Sequence, residues 1–76
     1  MIKFKFNDEI DSIDIFYNDS QIGRIDACND KIECATLCFI DIECFESILN
    51  KMKELDKLKR NKNKLNKKYL IGFVDV

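Results

Sequence analysis

The sequence predicts an α+β fold: a small five-stranded, mainly antiparallel sheet in the order β-β-β-β-α-β, with one amphipathic helix packed across one face. Three observations carry this. Short stretches of alternating apolar and polar residues, broken by Asn- and Asp-rich turns, fill residues 1–40. Ile42, Phe45, Ile48, Leu49, Met52 and Leu55 then recur at three- and four-residue intervals, which places them on one side of a helix. A last apolar stretch, Tyr69 to Val76 (YLIGFVDV), follows a polar connection.

Ile2, Phe4 and Phe6 alternate with Lys3 and Lys5, the pattern of a strand with one buried face. Residues 7–11 (NDEID) interrupt it as a turn. Ile13, Ile15 and Tyr17 alternate with Ser12, Asp14 and Phe16 in a second strand. Asn18-Asp19-Ser20 supplies side chains that tolerate left-handed backbone, so a hairpin follows. In the third strand, Gln21 to Cys28, Ile22 and Ile25 have opposite parity, which calls for a bulge or bend near Gly23.

Asn29-Asp30-Lys31 makes another turn, and Lys31 to Ile40 (KIECATLCFI) reads as a fourth strand, apolar on both faces. A second reading starts a helix at Asp30, with Glu33 completing a capping box. Richness in Cys, Thr and Ile favours the strand, as does Asp41, which is a good N-cap for a helix running to Arg60. The helix is expected to bury Phe45, Ile48, Leu49 and Met52. The buried contact ends near Leu55, since Asp56 falls in the same direction one turn on. Asp56 and Arg60 can pair across that turn. A right-handed crossover makes the last strand parallel to the fourth, and the expected spatial order is 4-3-2-1-5.

Seventy-six residues form one domain, 1–76, with a limited core that a second subunit would enlarge. Acidic residues fall where a signal peptide would have its apolar core, and no run is long enough to cross a membrane, so a cytoplasmic location is expected. Lys, Asn, Ile and Phe are plentiful, which is a low-GC coding bias. Charge is divided: net −7 over residues 1–50 and net +6 over residues 51–76.

Catalysis has little to work with. The chain has no His and only two Gly, so neither a neutral-pH general base of the usual kind nor a glycine-rich phosphate loop is present. No catalytic, cofactor or metal residue is assigned. Cys28, Cys34, Cys38 and Cys44 lack the C-x2-C spacing of a zinc knuckle and read as small apolar core residues in reduced form. The acidic stretch near residues 8–14 lacks the Gly and terminal Glu of an EF-hand loop.

Three surfaces remain. Asp8, Glu9, Asp11, Asp14, Asp19 and Asp26 form a candidate acidic patch for a protein partner, in particular a nucleic-acid-binding host protein whose basic groove normally takes phosphates. Cys34, Leu37, Phe39, Ile71 and Phe73 form a candidate association surface, and a homodimer is expected. Lys57, Lys59, Arg60, Lys62, Lys64, Lys67 and Lys68 could instead meet nucleic acid, although no aromatic side chain is interleaved for stacking. In size, coding bias, acidic N-terminal part and lack of catalytic groups, the chain resembles small phage and mobile-element proteins that inhibit host defences, anti-CRISPR proteins among them. That resemblance implies a non-enzymatic protein that binds its target stoichiometrically in the host cytoplasm. The alternative is a nucleic-acid-binding regulator or accessory protein.

Overall fold

A computed structural model describes residues 1–7, 9, 10, 12–28 and 31–62. Four strands, β1 (Ile2–Asn7), β2 (Ser12–Tyr17), β3 (Ser20–Cys28) and β4 (Lys31–Thr36), form an antiparallel meander in spatial order β1-β2-β3-β4, followed by α1 (Ile42–Lys62). The fold is α+β. The expected fifth strand, Tyr69–Val76, lies outside the described residues, as does the connection before it.

The alternation places Phe4, Ile13 and Ile15 in the core as the sequence predicts, but at the ends of β2 Tyr17 is exposed and Ser12 is buried, against expectation. Phe4, Ile13, Ile15, Ile22, Ile25, Ile48 and Leu55 make the core, with Ile2, Phe6, Ile32, Cys34, Ile40 and Met52 packed against it. The opposite face of the meander carries Lys3, Lys5, Asp14, Arg24 and Asp26. Tyr17 and Ser20 close the β2–β3 hairpin around Asn18 and Asp19, both at positive φ (47° and 69°), as a two-residue turn of this hand requires. The bulge lies where expected. Ile15 pairs with Gly23 while Phe16 pairs with Gln21, so Ile22 is the extra residue, and the shift lets Ile22 and Ile25 both enter the core.

Gly23 has a second reason to be glycine. A Cβ there would stand 2.5 Å from the Ala35 carbonyl oxygen of β4. The early-helix reading of residues 30–40 is excluded for residues 31–36, which are strand.

β4 is shorter than the sequence suggests and ends at Thr36. The Leu37 amide donates to the Ile22 carbonyl at 2.8 Å. Beyond that bond the partner strand has reached its bulge and turns into the hairpin, so residues 37–41 have no straight edge to follow. Within β4 only Ile32 and Cys34 are turned toward the helix and partly covered. Leu37 and Phe39, assigned above to an apolar strand face, instead form an exposed connection.

Asp41 caps α1 as predicted: its Oδ1 accepts the Cys44 amide at 2.8 Å, and its carbonyl accepts the Phe45 amide at 2.9 Å. The helix phase differs from expectation. Ile48 and Leu55 are buried, Leu49 and Met52 are half-buried, and Phe45 is 55% exposed. The helix packs mainly against β4, and the Lys51 ammonium reaches to 5.0 Å from the Phe4 ring centroid of β1. Its contact line runs through Ile48 and Leu55, and the flank bearing Ile42, Phe45 and Leu49 overhangs the β4 side. No helix among the described residues is long and apolar enough to cross a membrane.

Candidate protein-binding surface

The chain leaves an apolar ridge where β4 gives way to the helix. Leu37 is 73% exposed, Phe39 fully so, Ile42 77% and Phe45 55%. Two causes produce it: β4 stops at Thr36, and the helix is phased so that Ile48 and Leu55, rather than Ile42 and Phe45, meet the core. Beside the ridge lies an open groove of about 320 Å³, lined by Cys34, Thr36, Ile40, Phe45, Leu49 and Met52. Its walls are mostly carbon, and no charged side chain lines it. A surface of this kind gains by being covered with another apolar surface, at roughly 25 cal/mol for each Å² removed from water.

Cysteine chemistry divides the same region. Cys34 is half-buried in the groove, and burial pushes its thiol up from the ordinary range. The Cys44 thiol is also raised, first by desolvation and then by the nearby Asp41 carboxylate. Asp41 itself is held low by the hydrogen bond from the Cys44 amide. Cys38 is exposed, contrary to the expectation that all four cysteines are core residues. The reason is again the early end of β4, which leaves Cys38 in the connection. Cys38 is expected to alkylate several-fold faster than Cys34 or Cys44 in a brief iodoacetamide pulse near neutral pH. Peptide mass spectrometry checks this, and faster labelling of Cys34 would show the groove to be open and the thiol activated.

The proposed acidic patch is dispersed among the described residues. Glu9 and Asp19 are exposed on turns at opposite ends of β2, about 20 Å apart by strand length. Asp26 is exposed on β3. The Asp14 carboxylate is engaged, accepting Arg24 Nε at 3.2 Å and Asn7 Nδ2 at 3.1 Å. Asp8 and Asp11 lie outside the described residues. Of the association surface, Cys34 lines the groove on the helix side, Leu37 and Phe39 are exposed in the connection after β4, and Ile71 and Phe73 lie outside the described residues. No family model, curated protein or solved structure matches the chain. Its function has to be read from the surface itself.

Of the basic run, Lys57 is exposed on the helix. Lys59, Arg60 and Lys62 belong to α1 by backbone, and Lys64, Lys67 and Lys68 lie outside the described residues. Among the described residues no group of three or more Cys, Asp or Glu could hold a metal ion.

Sequence reasoning missed Ile42, Phe45 and Leu49 as surface-forming residues. A signal was available: the helix stripe is wider than one contact line onto a sheet requires. The direction of the overhang was not legible, because it depends on where the helix rolls.

Proposed function

We propose that this chain is a non-enzymatic protein-binding module that acts by stoichiometric occupation of another macromolecule. The observation that supports it is the exposed ridge of Leu37, Phe39, Ile42 and Phe45. Aromatic side chains presented this way serve as anchors, entering a pocket on a partner and carrying most of the binding energy. In this reading the partner offers an apolar pocket for Phe39, and the dispersed carboxylates at Glu9, Asp19 and Asp26 steer the encounter with a basic surface. A nucleic-acid-binding host protein has both features, and its inhibition by a small phage or mobile-element protein is the biological setting that suits the chain's size and charge.

Phe39→Asp tests this reading. The side chain is fully exposed, so the substitution is expected to leave the thermal midpoint within a few degrees of the parent. Capture of the protein partner from a low-GC bacterial lysate is expected to fall by at least about 100-fold, the loss typical of a strong anchor, at low and high salt alike. Unchanged capture by Phe39→Asp rejects the ridge as the binding surface. Recovery of nucleic acid in place of protein, abolished by salt, rejects the reading in favour of a basic nucleic-acid contact.

A further inference from the structure

The backbone edge of β4 carries information about self-association that does not depend on Phe39. Since Leu37 donates to Ile22 in the register that pairs Thr36 with Gly23, the residues of β4 alternate in a known phase. Lys31, Glu33, Ala35 and Leu37 turn their backbone groups toward β3, and Ile32, Cys34 and Thr36 turn theirs outward. Among the described residues β4 pairs with β3 alone. β4 contains neither proline nor a bulge, and its charged residues, Lys31 and Glu33, lie on one face only, away from the helix. Above that edge the overhanging helix flank of Phe45, Leu49 and Met52 forms one wall of the groove.

We propose that the outer edge of β4 pairs antiparallel with β4 of a second copy of this chain, across a two-fold axis at Cys34. The register follows from the residues. With the axis at Cys34, Ile32 lies opposite Thr36 of the second copy and Thr36 opposite its Ile32, so the outward groups at Ile32, Cys34 and Thr36 all find partners, making about six backbone hydrogen bonds. On the open face Glu33 meets an alanine, and Lys31 meets the exposed Leu37 of the second copy, over which its aliphatic stem can lie. Shifting the axis to Glu33 would set two glutamates directly opposite each other, a destabilising pair. Shifting it to Ala35 would leave Ile32 unpaired. On the helix side, Ile32, Cys34 and Thr36 of both copies form an apolar floor, and the Phe45–Leu49 flanks of the two helices face each other across it. The groove is thus half of a two-fold interface.

The test uses the full chain under reducing conditions. Light scattering across a concentration series is expected to show a particle of twice 9.0 kDa that dissociates on dilution. Amide exchange is expected to slow at least tenfold at Ile32, Cys34 and Thr36 as the dimer fills, while Glu33, Ala35 and Leu37 stay protected throughout. Thr36→Pro removes an outward donor on each copy without touching the β3 ladder, and is expected to weaken dimerisation about tenfold or more. A monomer at all concentrations overturns the proposal. So does a dimer whose outward β4 amides exchange freely. Protection of those three amides in a monomer would overturn it too, assigning the edge to another segment of the same chain such as Tyr69–Val76. The Phe39→Asp variant is expected to dimerise normally, so the two proposals fail separately.

Discussion

Leu55→Ala is expected to cost about 2–5 kcal/mol of stability, whereas Phe45→Ala is expected to cost less than about 1 kcal/mol. Leu55 is fully buried, thirteen residues into the helix, and holds α1 against the sheet. Removing its branched end leaves a cavity between layers that a strand backbone cannot collapse to fill. Phe45 belongs to the same helical stripe and is the larger side chain, so on sequence periodicity alone it would rank first. It is 55% exposed, and truncating it removes little from the core. Urea unfolding followed by far-ultraviolet circular dichroism distinguishes the two. Equal losses would show that the helix contacts the sheet along the centre of its apolar stripe. A loss of this size at Leu55 would be a large share of the total for a domain of 76 residues.

Gly23→Ala is expected to destabilise the protein by about 1–3 kcal/mol, although alanine normally improves on glycine in a strand. The added methyl would lie 2.5 Å from the Ala35 carbonyl oxygen and 3.3 Å from the Thr36 Cα, both backbone atoms of the neighbouring strand. Neither can yield as a flexible side chain would. Relief has to come from parting β3 and β4 beside the bulge. Faster amide exchange at Leu37, whose bond to Ile22 adjoins this point, is the local signature, and a lowered thermal midpoint the global one. A more stable Gly23→Ala variant would show the two strands to be further apart than described.

Much of this architecture was legible before any coordinates. The alternation of Ile2-Phe4-Phe6 and of Ile13-Ile15 placed two strands and their buried faces. Asn18-Asp19 marked the hairpin, and the parity break between Ile22 and Ile25 called for a bulge or bend near Gly23, next to the extra residue Ile22. Asp41 identified the helix start. Each is a local signal, set by backbone sterics, side-chain capping or period, and so was readable from neighbours in sequence. The candidate site was read less well. The pattern alone puts Cys34 on one face of a long strand and Leu37 and Phe39 on the other, and it groups the acidic residues by sequence proximity although a strand separates Glu9 from Asp19.

What the sequence determined by itself is the meander, its Asn18-Asp19 hairpin, the helix and the surplus of apolar residues near the end of β4. What only the tertiary structure decided is where that surplus goes. Strand length depends on whether a neighbour offers an edge, and β4 stops because β3 bends at Ile22. Helix phase depends on where the sheet supplies contacts across its whole width, so α1 rolls onto Ile48 and Leu55 and leaves Ile42 and Phe45 outside. Whether Asp14 is a free charge depends on what lies across the ladder, and Arg24 stands there. All three outcomes arise between residues distant in the chain, where periodicity carries no information.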